Sequence, residues 1–155
     1  MPDILKNEIR VVMQYLCQII EIPDMQKTLI ENTAITIGRL GLLCPGECAG
    51  FINSFINNWC QSLKEIRAND EKYTSFLGLV HMLHQNPSVL QNNQNFIMIC
   101  MAITSWEQPP EDLHTYFKEI LKSVVDKIEP NEWAMMKTFH MIPAVKARLE
   151  YQYQL

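Results

Sequence analysis

Glycine is scarce in this sequence, with 5 residues in 155, and apolar and polar residues never alternate over a sustained stretch. Both absences count against a β-sheet, whose strands show a period of two. Leucine, isoleucine, methionine and glutamine are abundant and favour helices instead. Hydrophobic residues make up 48% of the chain and charged residues 19%, which is typical of a folded protein. We therefore predict one all-α domain, since the length allows a single well-buried core.

An excess of positive charge is also missing. The formal net charge is −4, and phosphate contacts to nucleic acid need grouped Lys and Arg side chains. No run approaches 18 apolar residues, and the first six residues lack the basic start and apolar run of a signal peptide. We therefore expect no nucleic-acid partner and no membrane partner. A mildly acidic surface suits basic protein partners.

Cysteine chemistry has little support. The five cysteines are odd in number and include no Cys-x-x-Cys pair, which predicts free thiols in a reducing compartment, cytosol or nucleus. Cys44 and Cys48 could form a redox pair, but the low-pKa arrangement is missing. As a nucleophile, Cys48 would need an orienting histidine; none is near in sequence, and spacing alone leaves distant His140 open.

A metal site is equally unsupported. The imidazoles of His81 and His84 share one helix face, but no acidic residue or cysteine stands within a turn of them, and a closed zinc site needs four ligands. We expect no metal and no cofactor. Lys64, Arg67 and Lys72 form a small basic cluster interleaved with acidic residues, which favours a solvated hairpin tip.

Apolar residues recur every three or four positions along almost the whole chain. The clearest stripe runs from Cys48 through Phe55 and Trp59 to Ile66. Trp59 and Trp106 lie in such stripes, so we predict that they are core residues and not peptide-stacking platforms. The pattern predicts eight helices, near 2–21, 25–43, 46–66, 70–85, 88–106, 111–128, 131–140 and 143–152.

Proline and glycine occur at regular intervals along these helices. Pro45, Pro87 and Pro130 each open a helix and are 42 and 43 residues apart, while Gly38 and Gly78 are 40 apart. A two-helix repeat of this length is typical of HEAT units. The spacing predicts an α-solenoid of four hairpins near 2–43, 46–85, 88–128 and 131–152; a non-repeating helical bundle remains the alternative. Pro23-Asp24 ends the first helix, with Asp24 expected as the next N-cap.

The asparagine- and glutamine-rich stretch 91–95 resembles a low-complexity insertion. It falls in the early turns of a predicted helix. We interpret it as a solvated face or as local fraying, in preference to a binding site.

The run Lys27–Gly41, KTLIENTAITIGRLG, is more specific than any of these patterns. It resembles the C-terminal repeats of the transportin, or karyopherin-β2, family of nuclear import receptors. The resemblance continues through Phe55-Ile56, Trp59-Cys60, Ile66-Arg67, Asn86-Pro87-Ser88, Ser105-Trp106, Asn131-Glu132-Trp133 and Arg148-Leu149. It covers nearly the whole chain and departs at residues 1–26, 91–95 and the last five.

The resemblance implies a right-handed α-α superhelix at the C-terminal end of a far longer receptor. In the family the second helix of each hairpin lines the concave cargo surface, here 25–43, 70–85 and 111–128. The family carries cargo with proline-tyrosine nuclear localisation signals, interacts with Ran GTPase and nucleoporins, and shuttles between cytoplasm and nucleus. The Ran surface and the proline-tyrosine pocket belong to earlier repeats. The implied activity is binding, without catalysis.

Asn32 and Ile35 are the two cargo-contact positions that carry over from the family. An amide such as that of Asn32 can donate to and accept from an extended peptide. Ile35 could equally be a core residue. The alternative function is a HEAT scaffold of another kind, such as a phosphatase or trafficking adaptor. A small helical enzyme lacks the clustered cysteine, histidine and carboxylate set it would need.

Overall fold

The computed structural model describes residues 2–155, and that part of the chain contains helices and no strand. The prediction of an all-α fold is confirmed. Two 3₁₀ segments, Ala49–Phe51 and Pro87–Gln91, interrupt the α-helices. The α-helices in chain order are α1 Asp3–Glu21, α2 Lys27–Leu43, α3 Pro45–Cys48, α4 Ile52–Glu65, α5 Asp70–Gln85, α6 Asn93–Thr104, α7 Glu111–Val125, α8 Pro130–His140 and α9 Pro143–Gln152.

The helices form two layers, as expected for a solenoid of antiparallel hairpins. In one layer α2 packs on α5 and α5 on α7; in the other α1 packs on α4 and α4 on α6. Helix α8 joins the second layer through Trp133, whose ring centroid lies 6.0 Å from that of Phe96. Each layer is a row of neighbours, which is the packing of a HEAT-type solenoid. The four repeat boundaries given above remain a prediction.

The predicted helix over 46–66 is not continuous. Pro45 occupies the first turn of α3 as its missing N–H allows, but a 3₁₀ segment, Ala49–Phe51, separates α3 from α4. Gly50 lies in this 3₁₀ segment, and a glycine weakens an α-helix by about 1 kcal/mol relative to alanine. The tighter 3₁₀ turn replaces the α-helix where its propensity is lowest.

Short polar side chains account for two further differences at helix starts. The predicted helix over 88–106 begins with the 3₁₀ segment Pro87–Gln91, and α6 starts only after Asn92, whose side chain accepts a hydrogen bond from the Asn95 amide. Asp24 does not cap α2. It adopts a left-handed backbone with φ of 57°, and Gln26 is the N-cap residue.

The predicted core tryptophans are buried. Trp59 is 0% exposed, its indole N–H donates to the Ala34 carbonyl oxygen at 2.8 Å, and Phe55 meets its ring edge-on. Trp106 and Trp133 are buried as well. Because Trp59 lies on α4 and Ala34 on α2, this hydrogen bond ties the two layers together.

Helices α2 and α5 cross in direct backbone contact. A Cβ atom built on Gly78 would lie 2.1 Å from the Gly38 carbonyl oxygen, and one built on Gly38 would lie 2.5 Å from the Ser75 Cα. Only glycine permits this approach. The 40-residue spacing of the two glycines thus marks the crossing point of successive helices in one layer. Among residues 2–155, no helix is both long and apolar enough to cross a membrane.

Candidate functional site

The two predicted cargo-contact residues border one recess beside α2. Asn32 is exposed, whereas Ile35 is 7% exposed and so offers little open surface. The recess has a volume of about 370 Å³ and lies between α2 and the connection from α4 to α5. It is lined by Lys27, Glu31, Asn32, Ile35, Glu65, Ile66, Arg67, Asn69 and Glu71. The structure therefore brings Asn32 and Ile35 together, with Asn32 the more accessible of the two.

Charged side chains of both signs surround the recess, with three carboxylates against two cations. Lys27 Nζ lies 3.7 Å from a Glu31 carboxylate oxygen and 4.0 Å from one of Glu65. Arg39 Nη2 lies 3.0 Å from Glu71 Oε1 at its border. Exposed pairs of this kind contribute about 0–1 kcal/mol each, so a ligand can exchange with them at little cost.

A buried lysine holds the backbone of Ile66, one of the residues that line the recess. Lys72 is 4% exposed, its Nζ donates to the Ile66 carbonyl oxygen at 3.1 Å, and it lies 5.3 Å from the Trp106 ring centroid. Burial lowers the pKa of Lys72. The prediction of a solvated tip is wrong for this residue, because its ammonium group is desolvated and bonded inward. Asn69 caps α5 beside it by accepting from two backbone amides at 3.1 Å.

A hydrogen bond between tyrosine and aspartate joins α5 to α7 at the same end of this layer. The Tyr73 hydroxyl donates to Asp112 Oδ2 at 2.6 Å. This bond lowers the pKa of Asp112 and raises the pKa of Tyr73, because it stabilises the carboxylate and holds the phenol proton. The pair links the first turns of α5 and α7.

We expect Tyr73→Phe to raise the pKa of Asp112, measured by NMR titration of its side-chain carboxyl. A depressed pKa in the folded state means stability that is present above the unfolded pKa and lost as pH falls through the folded one. The variant should therefore lose stability relative to the parent at neutral pH and converge with it in acid. Tyr151→Phe, at a tyrosine on α9 that is 89% exposed, is the control and should leave the Asp112 titration unchanged.

The remaining candidate residues are not assembled into a reactive site. His81 and His84 are exposed, and within 2–155 no three histidine, cysteine, aspartate or glutamate side chains are grouped to hold a metal. All five cysteines are buried. Burial raises the pKa of Cys48 to about 12 and that of Cys17 to about 11. A neutral thiol at Cys48 lacks the reactivity of a catalytic nucleophile.

The chain is similar in sequence to curated transportin and importin proteins. No family model matches the chain. Transportin-1 of Homo sapiens and Transportin-1 of Mus musculus are each 42% identical to it over 141 residues, 91% of this chain. Importin subunit beta-2 of Schizosaccharomyces pombe is 28% identical over 145 residues, 94% of this chain. The chain spans about 15% of the length of these relatives.

Proposed function

Since the chain belongs by its sequence to the transportin, or karyopherin-β2, family of nuclear import receptors, we propose that it forms the cargo-side C-terminal segment of such a receptor. The whole receptor would bind proline-tyrosine nuclear localisation signals, pass the nuclear pore through nucleoporins, release cargo under Ran control, and shuttle between cytoplasm and nucleus. This segment would contribute the edge of the cargo surface. The recess beside α2 is the observation that supports this role.

The recess has the chemistry for the basic or apolar start of an extended signal. The side-chain amide of Asn32 has no hydrogen-bond partner within 2–155, so it is free to pair with a peptide backbone. The carboxylates of Glu31, Glu65 and Glu71 can receive lysine or arginine side chains. Ile35 supplies a small apolar floor. A contact of this kind adds modestly to a larger binding site elsewhere in the receptor.

The test uses a fluorescein-labelled proline-tyrosine signal peptide and the receptor chain that contains this segment. Asn32→Ala is expected to raise the dissociation constant about two- to tenfold, the loss of one hydrogen bond worth about 0.5–1.5 kcal/mol. Asn57→Ala is the matched control, since Asn57 is exposed on α4 in the other layer, and it should leave the dissociation constant unchanged.

If the parent and Asn32→Ala bind the signal peptide with equal affinity, Asn32 makes no cargo contact and the proposal for this recess is contradicted. A receptor chain that fails to bind the signal peptide at all would favour the alternative, a HEAT scaffold of another kind. That scaffold needs the same helical packing but no affinity for a localisation signal.

A further inference from the structure

A second recess lies between α6 and α8, in the layer opposite to α2. Its volume is about 680 Å³, and it is open along one side of α8. It is lined by Asn93, Gln94, Ile97, Glu129, Asn131, Glu132, Met135, Met136 and His140. We call it the α6–α8 groove. Amide, apolar and acidic side chains each occupy a part of it.

The amide part comes from the stretch 91–95, where the resemblance to the family departs. Asn92 and Asn95 have structural roles: the first caps α6, and the Asn95 side-chain amide donates to Asn53 Oδ1 at 2.9 Å. This hydrogen bond holds α6 against its neighbour, so the stretch is not frayed. Asn93 and Gln94 are exposed, line the groove, and have no side-chain hydrogen-bond partner among the described residues.

The apolar part is an exposed stripe on α8. Met135 lines the groove and is 59% exposed, with Met136 and Ile97 beside it. Phe139 follows Met135 one turn later on α8 and is also exposed. Methionine side chains are flexible and polarizable and adapt to aliphatic groups of different shape. An exposed apolar stripe with a polar border is typical of a protein interaction site.

The charged part of the groove is of one sign. Glu129 and Glu132 have no ion-pair partner within residues 2–155, and no lysine or arginine lines the groove. Lys137 on the same helix is turned away, with its Nζ bonded to Glu150 and to the Leu155 carbonyl oxygen. Lys127 lines a separate neighbouring cavity. Two uncompensated carboxylates beside an apolar stripe are complementary to a ligand that combines positive charge with aliphatic side chains.

We propose that the α6–α8 groove binds an extended basic segment of a partner protein through an aliphatic anchor. The anchor packs on Met135 and Ile97, the two carboxylates receive flanking lysine or arginine side chains, and the amides of Asn93 and Gln94 pair with the segment's backbone. This site goes beyond the proposed function, because it lies in the opposite layer from Asn32 and Ile35. The same groove on a second copy would present like charges, which disfavours a symmetric dimer.

The test is an NMR titration of the isotope-labelled chain with a capped Gly-Lys-Leu-Lys-Leu-Lys-Gly peptide. Backbone shifts are expected at Asn93, Gln94 and Met135. The double variant Glu129→Gln, Glu132→Gln should raise the dissociation constant about three- to tenfold, the effect of two exposed charge pairs. Added salt should weaken binding to the parent more than to the variant. A peptide with Glu in place of each Lys should not bind.

The matched control is the double variant Glu111→Gln, Glu119→Gln, which removes the same charge from exposed positions on α7. The dissociation constant of this control variant should stay within twofold of that of the parent. The proposal is overturned if both double variants weaken binding equally, since net charge alone would then attract the peptide. Shifts centred away from the groove overturn it too. The proposal is also overturned if the same amide signals shift with protein concentration in the absence of peptide, since the groove is then occupied by a second copy of the chain.

Discussion

Replacing Trp59 by alanine should lower the free energy of unfolding by about 3–5 kcal/mol. The side chain is 0% exposed and packs edge-on against Phe55, so its removal leaves a cavity between the layers. The indole N–H also loses its 2.8 Å bond to the Ala34 carbonyl oxygen. Urea unfolding followed by circular dichroism measures the difference, read as a shift in midpoint at constant slope.

Two further variants separate packing from the hydrogen bond and from general effects. Trp59→Phe keeps much of the ring volume and removes the N–H. Its free energy of unfolding should therefore fall clearly less than that of the alanine variant. Tyr151→Ala removes an aromatic ring that is 89% exposed and should change stability by less than about 0.5 kcal/mol. A Trp59→Ala midpoint close to that of the parent would contradict the core assignment.

Trp59 also shows why so much of the fold could be predicted from the sequence. Its burial follows from its place in the stripe with Phe55 and Ile66, and such a stripe depends only on local spacing. Helix starts at Pro45 and Pro130 follow equally from local backbone chemistry. A stack of hairpins is built mainly from contacts between neighbours, so local pattern and overall fold agree in most places.

The difference at Lys72 arises where a contact between distant residues decides the outcome. The sequence predicts a solvated Lys72 in a turn, but Trp106, 34 positions away, shields its ammonium group. The residues next to Lys72 in the sequence do not encode this contact. At Asp24 the sequence predicts an N-cap, whereas the backbone there is left-handed and Gln26 takes the N-cap position.

The two candidate sites also differ in how far the sequence could predict them. Asn32 and Ile35 were identified by resemblance, and only the structure shows that one is open and the other mostly enclosed. The α6–α8 groove combines residues 93–97 with residues 129–140. No local pattern links these two stretches. A groove between α6 and α8 becomes visible only when the helices are packed.

Gly78→Ala should destabilise the chain by about 1–3 kcal/mol although alanine is the better helix former. The added methyl group would lie 2.1 Å from the Gly38 carbonyl oxygen, a backbone atom that cannot rotate away. Helices α2 and α5 must therefore separate, which opens the packing around Ser75 and Met82, the side chains nearest to the glycines of α2. The measurement is the urea midpoint of unfolding.

The matched control is Gly46→Ala, the same substitution in α3 at a position with no heavy atom within 4 Å of the new Cβ. It should be neutral or stabilising by up to about 1 kcal/mol, because only helix propensity changes. Equal effects of the two substitutions would mean that α2 and α5 are not in backbone contact. Opposite signs would show that the close crossing of α2 and α5 at Gly38 and Gly78 leaves no room for a side chain, so that glycine at this point sets the distance between the two helices.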